Sequence, residues 1–162
     1  MSIDKAKVLR AVRRRVAEGL EAVEQSQRET QSGAVHEESK PENDKDTRAI
    51  EATYLARGLA QRVSELRAAL RTLDALELRH FDEDDPAELT ALVTVEDEEG
   101  EELSFFLSPA GAGIRVELGD AVVRVATTTS PVGQRLLGSR CDDEVVIRTP
   151  SGQRTMTITA IS

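Results

Sequence analysis

The sequence has few aromatic residues, one cysteine and no long apolar run. Among its 162 residues are three Phe, one Tyr and no Trp, which argues against a platform on which nucleic-acid bases stack. The single Cys141 excludes an internal disulfide and a CxxC zinc site, and it fits a reducing compartment. No apolar stretch approaches the roughly 20 residues that span a bilayer, and the charged N-terminal segment is unlike a signal peptide. We therefore expect a cytoplasmic protein without a membrane partner.

Acidic residues outnumber basic ones, but the excess is local. The formal net charge is −9, and residues 82–102 contain eleven acidic side chains and no Lys or Arg. The remainder of the chain carries a net charge of +2, and residues 1–15 alone carry +5. We interpret the acidic stretch as a solvated joint followed by a solvated hairpin turn. Such charge separation favours an oriented partner over a coat on nucleic acid.

The first half of the sequence has the periodicity of two long helices. The first apolar stripe comprises Leu9, Val12, Val16, Leu20 and Val23. The second comprises Ile50, Tyr54 with Leu55, Leu59, Val63, Leu66, Leu70 and Leu73. Its alternating steps of four and three are typical of a coiled-coil seam. Because a short connection containing Gly33 joins the two segments, we predict an antiparallel coiled-coil hairpin over residues 1–80, with an acidic tip at 36–46.

After Pro86 the apolar period changes to two. Six alternating runs are separated by turn residues such as Glu99-Gly100 and Gly119-Asp120, which predicts antiparallel strands. Residues 130–138 depart from this pattern, because a Ser cap, a Pro in the first turn and a Gly stop predict about two turns of helix. The fold class is therefore α+β: the helical hairpin, then a compact antiparallel β domain over 86–162 with one short helix.

The C-terminal motifs resemble those of a known family. They read Ser130-Pro131-x-Gly133-x-x-Leu136-Leu137-Gly138, then Asp143-Glu144-Val145, then Thr149-Pro150-x-Gly152. In order and spacing, and with the two-part plan of the whole chain, the sequence resembles the Gre-type (GreA/GreB) elongation and transcript-cleavage factors of bacterial RNA polymerase. The resemblance implies an FKBP-like C-terminal domain that docks at the rim of the polymerase's secondary channel, while the coiled-coil tip enters the channel.

The resemblance also implies an accessory factor rather than an enzyme. In that family the acidic tip stabilises a second Mg²⁺ and a water at the polymerase active site, so that the polymerase cleaves its own backtracked RNA. We expect a monomer that binds no cofactor when free, reaches the nascent RNA 3′ end only indirectly and has no sequence-specific contact with DNA.

The tip departs from the family pattern Asp-x-x-Glu-Asn. Alignment on Glu42-Asn43 places Ser39 where the first Asp is expected. A hard cation needs only one or two protein carboxylates, so the resemblance points to Glu42 with Glu38 as the shared Mg²⁺ ligands. Two further acids next to them, Glu37 and Asp44, are also candidate catalytic carboxylates. The alternative interpretation is structural, because Ser39-x-x-Glu42 is also a capping box for the second helix.

Two other groups of residues are candidate contacts. Ser130 and Pro131 match a family position beside the polymerase-docking surface, and they also suit a helix cap; the two roles are compatible. Lys7, Arg10 and Arg14 fall opposite the first apolar stripe, where they either contact RNA or polymerase or form an ordinary solvated face.

Three functions stay open on the sequence. The first is a Gre-like factor that enters the secondary channel and stimulates cleavage of backtracked RNA. The second is a channel binder without cleavage activity that regulates initiation or pausing, which Ser39 favours. The third is an FKBP-like isomerase or chaperone with a coiled-coil adaptor. A prolyl-binding pocket needs several aromatic side chains, and the β domain has only Phe105 and Phe106, which argues against this function.

Overall fold

A computed structural model describes residues 3–37 and 45–162, with side chains over 3–33 and 47–162. It contains two compact units, one formed by Met1–Arg14 with Thr72–Ser162 and the other by Arg15–Arg71. The helices are α1 (Lys5–Glu37), α2 (Lys45–Asp74) and α3 (Pro131–Leu136). The strands are β1 (Leu92–Glu96), β2 (Glu102–Ser108), β3 (Arg115–Leu118), β4 (Ala121–Thr127), β5 (Glu144–Thr149) and β6 (Gly152–Ile161). The domain limits expected at 1–80 and 86–162 stay predictions.

The two long helices form the expected hairpin. The Arg67 guanidinium lies 2.6 Å from the Glu24 carboxylate and so joins α2 to α1. Val16, Val63 and Leu66 are buried, as the apolar stripes predict. The connection was placed wrongly, because Gly33 lies inside α1, which continues to Glu37. A glycine weakens a helix by about 1 kcal/mol but does not end it, and an added Cβ at position 33 would meet open space.

The apolar seam is not closed along the whole of α2. Ile50, Tyr54 and Leu55, which the sequence places in the seam, are 57%, 69% and 54% exposed. Residues 24–32 of α1 include no apolar side chain, so that stretch offers no apolar surface to bury them. The described hairpin is therefore held mainly by residues of the seam from Val63 onward.

The six strands form one sheet in the order β3-β4-β2-β1-β6-β5. Four of the five neighbouring pairs are antiparallel, but β2 and β4 are parallel. The expectation of a wholly antiparallel domain is therefore wrong, and the sheet is mixed. Alternating hydrophobicity specifies which face a side chain takes but not the direction of its neighbouring strand. In this order β3 is an edge strand, and β4 lies between β3 and β2.

Both faces of the sheet bury apolar side chains. Phe105 belongs to a core cluster that also contains Ile147, Ile158 and Leu136 of α3. Phe106 points to the opposite face and is fully buried as well. Near that face an added Cβ at Gly111, where φ is +87°, would lie 2.9 Å from a Val12 methyl group of α1. The beginning of α1 therefore packs closely against the loop between β2 and β3.

Over the residues that the structure describes, neither long helix combines the length and the apolarity that crossing a membrane requires.

Candidate functional site

The N-terminus of α3 is built by the serine and proline that the sequence singled out. The Ser130 hydroxyl donates to the Thr127 carbonyl at 2.8 Å and accepts the Gly133 N–H at 3.1 Å. Ser130 is the N-cap, and Pro131, which needs no N–H partner, is the first helical residue. The predicted cap is confirmed, and it leaves the Pro131 ring exposed at the surface.

Gly133 explains the close seating of α3. An added Cβ there would lie 1.9 Å from the Thr127 carbonyl oxygen, far inside contact distance. The absence of a side chain lets the first turn of α3 lie directly on the end of β4. The Ser-Pro-x-Gly sequence is therefore a packing motif that fixes where Ser130 and Pro131 stand.

A groove of about 720 Å³ opens beside this cap. Its apolar lining comes from the sheet and from α3, and comprises Leu103, Phe105, Val125, Ala126, Val132 and Ile147. Ser130 and Pro131 form one lip, and Thr149 at the end of β5 lies at another, with Pro150 and Ser151 of the β5–β6 turn. Grooves with apolar floors and a few polar groups at the rim are typical binding surfaces.

Four arginines line the same groove: Arg115, Arg124, Arg148 and Arg154. Arg154 is neutralised, because its guanidinium lies 2.8 Å from the Asp97 carboxylate and also bonds Glu101. The other three have no ion pair within the described residues. The groove is therefore basic, although the chain as a whole is acidic.

Two of these arginines are direct cross-strand neighbours. In the β3–β4 ladder Arg115 stands opposite Arg124, and in the β2–β4 ladder Arg124 stands opposite Phe105. The three residues thus form a row across three strands on one face of the sheet. Like charges placed directly opposite each other normally destabilise a sheet.

The acidic turn between β1 and β2 has a structural role. The Asp97 carboxylate accepts the N–H groups of Glu101 at 2.8 Å and Glu99 at 3.0 Å, as well as the Arg154 side chain. The backbone N–H of Glu101 contributes most to holding the pKa of Asp97 below its ordinary value, with Glu99 and Arg154 adding to it. These contacts accord with the interpretation of this stretch as a hairpin turn.

Two cationic side chains of α1, Arg13 and Lys5, contact the end of α2 and the segment that follows it. Arg13 donates to the Leu73 carbonyl at 2.6 and 3.0 Å, and to the Asp74 carbonyl at 3.2 Å, which caps the C-terminus of α2. The Lys5 ammonium donates to the Arg79 carbonyl and lies 4.8 Å from the centre of the Phe81 ring. Partial burial lowers the pKa of Lys5. The N-terminal positive charge is therefore partly structural.

The candidate basic face lies on the same helix. Lys7, Arg10 and Arg14 are exposed along one face of α1, so the structure brings these three together as the spacing predicts. Their contact with RNA or polymerase stays a prediction.

The tip candidates fall at the edge of the described chain. Glu38, Ser39, Glu42 and Asp44 lie outside the described residues. Glu37 is the last residue of α1, and its side chain is not described. The catalytic and Mg²⁺ assignments therefore stay predictions. Over the described side chains, no three His, Cys, Asp or Glu residues come together as a metal site.

Arg115, Arg124 and Arg148 were not predicted as site residues. Each stands within an apolar or β-branched run, as in Ile114-Arg115-Val116, Val123-Arg124-Val125 and Ile147-Arg148-Thr149. An arginine inside such a run is a signal that the sequence carries. The β3–β4 hairpin brings Arg115 and Arg124 together, and the parallel pairing of β2 with β4, which the period of the strands does not reveal, places Phe105 beside them.

Comparison with known proteins points to one family. The family model described as transcription elongation factor GreA/GreB, C-terminal domain, matches residues 82–162, which is half of the chain. This range holds the whole sheet, α3 and the groove. No curated protein matches the chain.

Solved structures of similar proteins carry related names. One is the transcription factor Gfh1, with 26% identity, 92% of each chain covered and a TM-score of 0.42. Another is GreA factor homolog 1 (Gfh1) of Thermus thermophilus, with 23% identity, 93% of this chain and 94% of that chain covered, and a TM-score of 0.40. A third is a GreA/GreB elongation factor from Nitrosomonas europaea, with 21% identity, 60% and 78% covered, and a TM-score of 0.39.

Proposed function

Because the chain belongs to the GreA/GreB family of transcription elongation factors, we propose that it binds bacterial RNA polymerase through the secondary channel and stimulates cleavage of backtracked RNA. The observation that carries the proposal is the family match over 82–162, since that range contains the basic groove and the α3 cap. The protein then acts in the cytoplasm as an accessory factor, and the nuclease activity remains that of the polymerase.

The C-terminal domain supplies the docking surface in this proposal. Ser130 and Pro131 stand at the lip of the groove, held by the cap and by the close packing at Gly133. A rigidly placed lip beside an apolar floor is suited to a protein partner, because little conformational freedom is lost on binding. We assign the FKBP-like character implied by the sequence to this domain as part of the same proposal.

The tip supplies the chemistry. Glu42 and Glu38, with Glu37 and Asp44 close in sequence, are carboxylates of the kind that Mg²⁺ prefers. The cation belongs to the polymerase, where it would supply Lewis-acid activation for hydrolysis of the RNA phosphodiester. The role of this chain is to carry one or two carboxylates on the end of a long helical support.

A transcript-cleavage assay on a stalled, backtracked elongation complex tests the proposal. The wild-type protein should yield shortened RNA that can be extended again in the presence of Mg²⁺. The double variant Glu42→Ala/Glu38→Ala should lose cleavage and keep polymerase affinity, whereas Glu21→Ala/Glu65→Ala, on exposed helix positions away from the tip, should cleave like wild type. Equal cleavage by the tip variant would reject the tip assignment.

Ser39 favours a second function. It stands where the family pattern has an Asp, so a factor that occupies the channel without stimulating cleavage is the alternative. Polymerase binding without shortened RNA would select it, and Ser39→Asp should then introduce cleavage activity. The chaperone alternative is weaker, because Phe105 is the one aromatic residue among those lining the described groove.

A further inference from the structure

The cross-strand pair of Arg115 and Arg124 is unfavourable to the isolated domain. Arg115 and Arg124 are directly opposite each other in the β3–β4 ladder, a position in which like charges repel. Arg124 is half-buried, so the charge is partly removed from water. A pair of this kind lowers stability unless a partner of opposite charge is bound.

The surrounding side chains do not supply that partner, and Glu117, two residues from Arg115 on the same face of β3, forms no ion pair with either arginine. The groove contains one acidic residue, Glu101, and it is already bonded to Arg154. Arg148 of β5 also lines the groove, at an exposed position next to the buried Ile147. Within the described residues, Arg115, Arg124 and Arg148 have no ion pair, while the acidic turn directs Asp97 and Glu101 to Arg154 instead.

The chain therefore concentrates uncompensated positive charge at one groove, although its net charge is −9. The positive charge stands next to an apolar floor that includes Phe105 and Ile147. Arginine is one of the residue types enriched at the energetic hot spots of protein interfaces, which lie in well-packed pockets. A guanidinium also binds carboxylates with two parallel hydrogen bonds, which makes it selective for acidic side chains.

We infer that Arg115 and Arg124, with Arg148 at the edge of the groove, select an acidic segment of the polymerase surface, whose apolar side chain fills the floor of the groove while its carboxylates pair with the arginines. The inference rests on the proposed function and adds to it the chemistry of the docking partner and the residues that recognise it. The partner's charges complete the ion pairs that the free domain lacks.

Affinity for purified core RNA polymerase, free of nucleic acid, tests the inference. The variants are Arg115→Gln/Arg124→Gln and the same pair with Arg148→Gln, each measured at low and at moderate salt. The control is Arg135→Gln, which removes one positive charge from an exposed position on α3 that does not line the groove. A thermal denaturation midpoint is recorded for each variant.

The triple variant should bind at least about tenfold more weakly at low salt, with a reduced dependence of affinity on salt, because charge-assisted contacts are lost. Its denaturation midpoint should equal or exceed that of the wild type, because the repulsion between Arg115 and Arg124 is removed. The control should stay within about twofold in affinity. Loss of binding together with retained or higher stability distinguishes recognition from a structural role.

Three results overturn the inference. If the wild type binds polymerase and the triple variant binds equally well, the arginines do not select the partner, and the proposed function stands. If the triple variant unfolds at lower temperature, the arginines are structural. The third result is a wild-type protein that does not bind polymerase but binds a single-stranded RNA oligonucleotide, or a second copy of the chain, through the arginines. In that case both the inference and the proposed function are wrong.

Discussion

At the scale of single residues, Gly133 decides how α3 is seated. Its missing side chain leaves room for the Thr127 carbonyl oxygen, which an added Cβ would approach to 1.9 Å. Because that oxygen belongs to the backbone at the end of β4, it has little freedom to retreat. The position of Ser130 and Pro131 at the groove therefore depends on residue 133 being glycine and not alanine.

We predict that Gly133→Ala lowers the free energy of unfolding by at least about 2 kcal/mol, because α3 must move away from β4. Chemical denaturation measures the change. Gln134→Ala, on the exposed neighbouring position, is the matched control and should change stability by less than about 0.5 kcal/mol. A stable Gly133→Ala protein would mean that the end of β4 yields more readily than its hydrogen bonds indicate.

At the scale of elements, α1 and α2 contain glycines with no steric reason to be there. Added Cβ atoms at Gly19, Gly33 and Gly58 would meet no heavy atom within 4 Å. Together with the exposed Ile50, Tyr54 and Leu55, they show that the described hairpin is far from its most stable possible sequence. Helices of this kind derive their order from packing more than from intrinsic propensity.

We predict that Gly58→Ala stabilises α2 by about 1 kcal/mol, because alanine loses less backbone entropy on forming a helix. Amide hydrogen exchange over residues 52–65 should slow by about fivefold, which is the equivalent factor. Ala60→Gly, at an exposed position two residues away, makes the reverse change and should accelerate exchange. Unchanged exchange in both variants would show that this part of α2 opens together with a larger unit.

The same elements show which parts of the structure the sequence predicts and which parts it does not. The 3–4 spacing around Val16 and Val63, and the Ser130-Pro131 cap, predicted local structure correctly because both signals are confined to a few neighbouring residues. Gly33 was misassigned because a glycine in open space can stay helical. The Arg115–Arg124 pair follows from the two-residue turn Gly119-Asp120, whose length sets the register of the β3–β4 hairpin, whereas the parallel pairing of β2 with β4 arises from the tertiary fold. The tip carboxylates stay predictions because they lie outside the described residues.

At the scale of the whole molecule, the proposals place binding and chemistry in different parts of the chain. The groove arginines lie between positions 115 and 148, whereas the candidate carboxylates lie between 37 and 44. Because the two sets belong to different parts of the sequence, we expect their contributions to function to be separable. A variant that lacks the tip carboxylates but retains the groove arginines should therefore still bind the polymerase.

We predict that Glu42→Ala/Glu38→Ala inhibits cleavage by the wild-type protein. With the polymerase saturated, an equal concentration of this variant should reduce the cleavage rate by about half, because both proteins compete for one site with the same affinity. The variant that combines this change with Arg115→Gln, Arg124→Gln and Arg148→Gln should inhibit far less at that concentration, since a groove with about tenfold lower affinity competes poorly for the polymerase. Single-turnover cleavage with mixed proteins measures both effects. Equal inhibition by the combined variant would mean that the hairpin binds the polymerase without the groove. If the tip variant does not inhibit, the tip carboxylates contribute to binding as well as to cleavage.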